Sequence, residues 1–230
     1  MQGILLVDKP SAWTSFDVVA YVRKIIASEQ KVKPAQIKVG HTGTLDPLAT
    51  GLLVLLIGKP YTRLATELTK LDKEYLVEMK LGEITESGDS ETEVKAYSSY
   101  APTKDEVARA LKSFEGESMQ LPPVYSAIKV NGQRAYDLAR QGKAVELKAR
   151  PVTIYDIQLT QYDYPMLKFS TRVSSGTYIR SLVVDLGEKL KSGAYMTELR
   201  RTSVGDFSLN DSLKVDDLNY DKLAQHLLFV

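Results

Sequence analysis

The chain has no cysteine and only two histidines, His41 and His226, in 230 residues. The first absence excludes disulfides, thiol nucleophiles, iron–sulfur clusters and cysteine zinc sites. The second leaves no basis for a histidine-rich metal site. Long apolar runs are also missing. The longest is residues 52–57, far short of the ~20 residues a membrane-spanning helix needs. No signal-peptide core is present: the apolar residues 3–7 run at once into Asp8 and Lys9. These absences set the expectation of a soluble, cytoplasmic protein. Nor is there an excess of charge of either sign. Thirty Lys and Arg stand against 29 Asp and Glu, for a formal net charge of +1. With 43% hydrophobic and 26% charged residues, the chain is neither collagen-like nor disordered, and it is long enough for a substantial core.

The charges that are present are segregated. Residues 129–150 hold six basic side chains, including Lys129, Arg134 and Lys143, against Asp137 and Glu146. Residues 83–93 hold five acids and no base. A near-neutral sum built from opposed patches suits a protein that presents one face to a polyanion. The basic segment reads equally as a solvated polar insert.

Periodicity predicts the elements. Residues 3–7 and 52–57 read as buried strands, the second too apolar for a half-exposed edge. Thr14 or Ser15 opens a helix with Phe16, Val19, Val22, Ile25 and Ile26 on its apolar face. A helix is expected over 62–71. A half-buried strand follows over 75–81, where Tyr75, Val77, Met79 and Leu81 alternate. Residues 82–102 read as a polar loop. Thr103 and Glu106 form a capping-box pattern. Leu121-Pro122-Pro123 breaks any element, and a short helix is expected over 135–141. Residues 152–162 and 166–173 read as a hairpin. A helix spans 177–191, a strand 195–204, and a last helix starts near Asp216. Strands outnumber helices without alternating strictly, which argues for an α+β fold.

The most unusual stretch is Gly40-His41-Thr42-Gly43-Thr44-Leu45-Asp46-Pro47-Leu48-Ala49-Thr50-Gly51. Three glycines and a proline in twelve residues imply a tight, specific backbone path between two apolar strands. Such anchored loops commonly bear catalytic groups. Asp46 is the only acid between Glu29 and Glu67. It reads either as a catalytic carboxylate or as the cap of a short helix begun by Pro47. A P-loop is excluded, because no Gly-Lys-Ser/Thr ending is present.

This stretch resembles the catalytic motif of the TruB family of tRNA pseudouridine synthases. Further segments agree in order and spacing: Val7-Asp8-Lys9-Pro10 with Thr14-Ser15, Lys73-Glu74-Tyr75, Gln120-Leu121-Pro122-Pro123-Val124-Tyr125-Ser126-Ala127, Gly176-Thr177-Tyr178-Ile179-Arg180-Ser181-Leu182, and Leu199-Arg200-Arg201. Together they cover residues 3 to about 207. Residues 85–92 resemble a family Thr-Asp-Thr segment only loosely. The resemblance implies a single α+β pseudouridine-synthase-type domain over 1–230. It has a long, curved, mainly antiparallel mixed sheet flanked by helices, and a central cleft. Residues 124–147 form an RNA-binding thumb insert. The small C-terminal RNA-binding domain usual in bacterial members is not expected here.

The implied activity is isomerisation of uridine 55 in the tRNA T loop to pseudouridine. The uracil leaves C1′, rotates and rejoins through C5, with no net gain of atoms and no redox change, so no cofactor and no metal are expected. Asp46 supplies the carboxylate, as nucleophile or as base at the sugar. Arg180 opposes protonation of that carboxylate in a closed pocket; by pattern alone it is a surface residue of an amphipathic helix. Tyr75 stacks on the flipped base and offers a hydroxyl, or is an ordinary strand aromatic. His41 fills the space the base leaves, or bonds to its own loop. Lys9 packs under the site or is merely exposed, Leu199 walls the pocket or is plain core, and Tyr178 packs beside Arg180. Lys129, Arg134 and Lys143 grip phosphates. The expected partner is the T stem-loop of tRNA, and the protein is expected to be a monomer without membrane contact. Two rivals stand: a guide-RNA-dependent pseudouridine synthase subunit, and a non-catalytic tRNA-binding or folding module.

Overall fold

The computed structural model describes residues 1–126, 129–130, 132–135, 138, 141 and 147–229. In chain order the strands are β1 Gly3–Lys9, β2 Val39–His41, β3 Thr50–Ile57, β4 Lys73–Leu81, β5 Glu83–Ile84, β6 Lys95–Ala96, β7 Gly116–Gln120, β8 Lys129–Val130, β9 Gln133–Arg134, β10 Arg150–Asp163, β11 Met166–Val173, β12 Ala194–Val204, β13 Phe207–Ser208 and β14 Leu213–Lys214. The main helices are Ser15–Glu29, Lys104–Lys112 and Ile179–Lys189. Antiparallel pairings such as β1–β3 and β10–β11 combine with parallel ones such as β1–β14 and β3–β12, so the fold is α+β with a large mixed sheet. The chain divides into two compact units, Met1–Tyr75 with Leu199–Val230, and Leu76–Glu198.

In the first unit the strand order is β14-β1-β3-β12, with β2 also on β3 and β13 on β12. β1 and β3 pair antiparallel over their whole length, from Gly3↔Ile57 to Lys9↔Gly51. Both faces of this pair are buried. Leu5, Val7, Leu53, Leu55 and Ile57 pack under the helix Ser15–Glu29. Ile4, Leu6, Leu52, Val54 and Leu56 pack against Val204, Tyr61 and Leu68. That is why residues 52–57 form an unbroken apolar run instead of alternating. Each fully buried Leu or Ile is worth about 1.5–3 kcal/mol, so β3 is a stiff base for the loop that precedes it.

The helix Ser15–Glu29 begins where the sequence predicts. Thr14 Oγ1 accepts from Asp17 N at 3.0 Å, and the Asp17 carboxylate accepts from Thr14 N at 2.8 Å. Its buried stripe is Val18, Val19, Val22 and Ile26. Phe16, expected on that face, is 64% exposed. At 3.6 residues per turn it lies about 100° from the centre of the stripe. The single helix expected over 62–71 is instead two one-turn helices, Lys59–Thr62 and Ala65–Leu68. The tight bond from Leu64 N to Tyr61 O interrupts them. The expected last helix is also shorter. It runs Tyr220–Gln225, capped by Asn219, and stops because Leu228 bonds back to Ile4 in a sheet bridge.

In the second unit the order is β4-β11-β10-β7. β10 and β11 form the predicted hairpin, with register irregularities at Ile154/Asp156 and Leu159/Gln161. β4 alternates as read, with Tyr75, Val77, Met79 and Leu81 buried. The helix Lys104–Lys112 carries the predicted Thr103–Glu106 capping box. β7 was not legible: Gly116 to Met119 are exposed and polar in pattern, as an edge strand permits. The expected loop 82–102 contains the β5–β6 hairpin and buries Ser87 and Asp89. Within the expected insert 124–147, β8 and β9 pair through Lys129↔Arg134 and Val130↔Gln133. Lys143 and most of the expected 135–141 helix lie outside the described residues.

Candidate active site

Residues 42–49 link β2 to β3, and their backbone is held from several directions within the first unit. Thr42 N donates to Val54 O at 3.1 Å. Ser15 Oγ accepts from Leu45 N at 2.8 Å and donates to Leu45 O at 3.0 Å. Ala12 N donates to Pro47 O at 2.9 Å, and Ser11 Oγ to Leu48 O at 3.4 Å. Asp46 closes a turn: its carbonyl accepts from Ala49 N at 3.1 Å. No helix starts at Pro47, so the helix-cap reading of Asp46 is set aside. Gly51 is needed where the loop rejoins the sheet. Its φ is +99°, and a Cβ there would lie 2.3 Å from Arg201 O.

Three cations are buried around this loop. Lys9, fully buried, donates from Nζ to Trp13 O at 2.5 Å, Pro10 O at 2.9 Å and Pro47 O at 3.4 Å. Arg201, 1% exposed, donates from Nε to Leu52 O at 2.7 Å and from Nη2 to Gly43 O at 3.1 Å. Lys73 donates to Leu71 O at 2.5 Å and Thr69 O at 2.8 Å. Burial lowers the Lys9 pKa to about 8; the Asp46 charge opposes this, and Arg201 adds to it. Burial, then the Arg201 charge, lowers Lys73 to about 8. His41 is also pushed below its ordinary value by burial and by Arg201, which keeps its ring neutral near pH 7. Its Nδ1 accepts from Gly43 N at 3.3 Å. Half-buried Asp46 is thus within electrostatic reach of Lys9, which is itself tied to Pro47 in the same loop.

Tyr75 is buried at 7% exposure on β4, and Leu199 is buried on β12, where its carbonyl accepts from Thr50 Oγ1 at 3.4 Å. Strand alternation then sends Arg200 and Arg201 in opposite directions. Arg200 pairs with Asp8 at 2.7 Å, while Arg201 enters the core.

The second unit holds Arg180 and Tyr178. The helix face that contains Arg180 is not solvated: Arg180 is 6% exposed. Its Nη1 donates to Ser87 O at 3.1 Å, its Nη2 to Tyr125 O at 2.7 Å, and its Nε lies 3.5 Å from Asp89 Oδ2. Asp89 Oδ1 in turn accepts from Ser87 Oγ at 2.5 Å and Glu91 N at 3.0 Å. Tyr178 is fixed by its backbone: its N–H donates to Gln120 Oε1 at 2.8 Å, and its carbonyl accepts from Gln120 Nε2 at 3.0 Å. Ser181 Oγ donates to Leu121 O at 2.8 Å. The chain entering the insert is therefore clamped to the start of the Arg180 helix. Sequence reasoning missed Asp89, Arg201 and Ser15 as partners. The one available signal for Asp89 was a Ser-Gly-Asp turn within an acidic run, and for Arg201 the Arg-Arg pair on a strand.

Comparison with known proteins defines the class first. In a crystal structure titled as a Cbf5-Nop10-Gar1 complex, one chain superposes with TM-score 0.71 at 31% identity. It covers 94% of this chain, and this chain spans about half of it, 53%. An H/ACA RNP bound to a substrate RNA containing 2′-deoxyuridine gives TM-score 0.68 at 28% identity, again over about half of that chain. Among curated proteins, the tRNA pseudouridine synthase B of Clostridium novyi is 45% identical over all 230 residues, 76% of its own length. That of Phocaeicola vulgatus is 48% identical over 214 residues, covering 93% of this chain and 90% of its own. Residues 28–179 match the TruB family pseudouridylate synthase N-terminal domain, and residues 180–227 match the tRNA pseudouridylate synthase B C-terminal domain. The fold is that of a pseudouridine synthase. The chain belongs to the TruB family.

Proposed function

We propose that the protein isomerises uridine 55 in the T loop of tRNA to pseudouridine, with Asp46 as the catalytic carboxylate. The observation behind this reading is the Asp46 loop. Its backbone is fixed through Ser15, Lys9 and Arg201, each of which lies in a segment that resembles a family motif. Such fixing of the backbone pre-positions the Asp46 carboxylate. The N1–C1′ bond breaks and a C5–C1′ bond forms. The proton lost from C5 is balanced by one gained at N1, so uridine and pseudouridine are isomers. Asp46 acts at the ribose or at the base. Tyr75 stacks on the flipped uracil and serves the proton transfer. Arg180 favours the ionised carboxylate, His41 fills the place of the flipped base, and Leu199 and Tyr178 shape the pocket. Lys9 holds the loop from beneath. Lys129, Arg134 and Lys143 bind phosphates of the T stem.

No cofactor is needed, and we place the enzyme in the cytoplasm as a monomer. Among the described residues no helix is long and apolar enough to cross a membrane. The similarity to Cbf5-containing particles favours a guide-RNA-dependent rival, but whole-chain identities of 41–45% to clostridial proteins named tRNA pseudouridine synthase B favour the stand-alone enzyme. The test is incubation with an unmodified T-loop hairpin, with and without EDTA, followed by carbodiimide mapping. Pseudouridine at position 55 without guide RNA, and equally with EDTA, is the expected result. Its absence with the hairpin and with whole tRNA refutes the assignment.

A further inference from the structure

Within the second unit, the ends of the helices Lys104–Lys112 and Ile179–Lys189 frame a concave surface of about 670 Å³. Buried Ala110 and Leu190 line it, and Arg109, Lys189 and Lys191 supply positive charge. Among the described residues, none of these three cations lies within 4.0 Å of a carboxylate oxygen, although the Arg109 charge acts on Glu106 at longer range. The acid in the groove, Glu106, is already engaged. Its carboxylate accepts from Thr103 N at 2.7 Å, Thr103 Oγ1 at 2.7 Å and Tyr100 Oη at 2.7 Å. Lys189 is steadied over the Phe114 ring at 5.3 Å. Two half-exposed tyrosines flank the charges: Tyr100 lines the groove, and the Tyr97 ring lies against Gly193, two residues past Lys191.

Helix C-termini favour nearby cations, which accounts for one lysine at such an end. Arg109 lies in the last turn of its own helix as well, so what the effect leaves unexplained is Lys191 and the meeting of the three cations at an apolar floor beside tyrosines. Cations over a low-dielectric floor focus the field outward and attract polyanions, and exposed aromatics next to them are a common surface for RNA. All three cations are exposed at the rim, which suits an extended phosphate chain better than an enclosed small anion. Lys189 is nine residues from Arg180 on one helix, about 13.5 Å along its axis, a short reach for a nucleic acid.

We propose that this groove is a second contact for the sugar–phosphate backbone of the tRNA substrate. The proposal rests on the tRNA reading above. Its test is the salt dependence of whole-tRNA binding to the Arg109→Gln/Lys191→Asn double variant. Asn suits position 191, whose φ is +55°. The slope of log affinity against log salt should flatten by roughly 0.7–0.9 per lost phosphate contact, about 1.4–1.8 for both. The control is Lys31→Asn, which removes an exposed lysine from the same left-handed backbone, φ +54°, and should leave the slope as in wild type. An unchanged slope in a double variant that melts like wild type overturns the proposal. So does an equal flattening by Lys31→Asn, which would reduce the effect to overall charge. A double variant that melts early is replaced by Lys189→Gln, read the same way. Mapping of pseudouridine made by the wild type is a separate readout, so failure of the T-loop assignment is distinguishable from failure of the groove.

Discussion

Arg180 Nε stands 3.5 Å from Asp89 Oδ2, and the two side chains are 6% and 1% exposed. A buried ion pair is weak evidence for stability by itself, but losing one partner strands a charge. Asp89→Ala should therefore destabilise the protein by about 3–5 kcal/mol, read by urea unfolding. The double variant Asp89→Leu/Arg180→Met should cost less than the sum of the single changes. Additive costs would show that the two groups do not act as a pair.

Asp46→Asn nearly preserves the side-chain shape and removes the charge. The loop is fixed through backbone atoms of Gly43, Leu45 and Pro47, so the fold should survive. Turnover should vanish, while RNA affinity stays within about tenfold, on the order of 1.4 kcal/mol. Substantial product from a contamination-free preparation would remove Asp46 from the chemistry.

What the sequence made legible was local or periodic. The Thr103–Glu106 box follows from a three-residue spacing, and the two-sided burial of β3 follows from six apolar residues in a row; for the first helix the sequence offered Thr14 or Ser15 as cap, and the structure uses Thr14 with Asp17. The Gly and Pro content of residues 40–51 marked a fixed loop, and the collinear motifs gave it a chemistry. Hidden were pairings between distant segments. Asp89 and Arg180 are 91 positions apart, and no local rule joins them. Lys9, which the sequence places under the site or at the surface, and Arg201 had their partners hidden for another reason: charged side chains are expected outside. Their burial depends on carbonyls of Pro47, Leu52 and Gly43 that converge only once the sheet has formed.

Tyr75→Phe keeps the ring buried on β4 and deletes only the hydroxyl. If that hydroxyl serves proton transfer, turnover should fall by roughly 10²–10⁴-fold with RNA affinity unchanged. The checks are single-turnover rates at saturating hairpin and a filter-binding isotherm. Wild-type turnover would reduce Tyr75 to packing.

Lys9 and Lys73 give the stability a pH signature. Burial lowers both to about 8 in the folded protein, while an unfolded lysine titrates near 10.4. Between these values the unfolded chain binds more protons than the folded one, so stability should rise with pH. The desolvation cost is fully present below about pH 8 and is relieved as pH climbs toward 10.4. Each residue contributes up to about 1.4 kcal/mol per pH unit in that window. Lys80, Lys112 and Lys168 are shifted upward by half-buried carboxylate partners, and their small contribution is lost only as pH rises above about 10.4, outside this window. Lys9→Met should destabilise the protein near pH 7 by at least about 2 kcal/mol, because the carbonyls of Pro10, Trp13 and Pro47 lose their donor. It should also make the climb between pH 8 and 10 shallower. Urea midpoints taken across that range decide the matter: a Lys9→Met curve parallel to wild type would mean that Lys9 is not held near pKa 8.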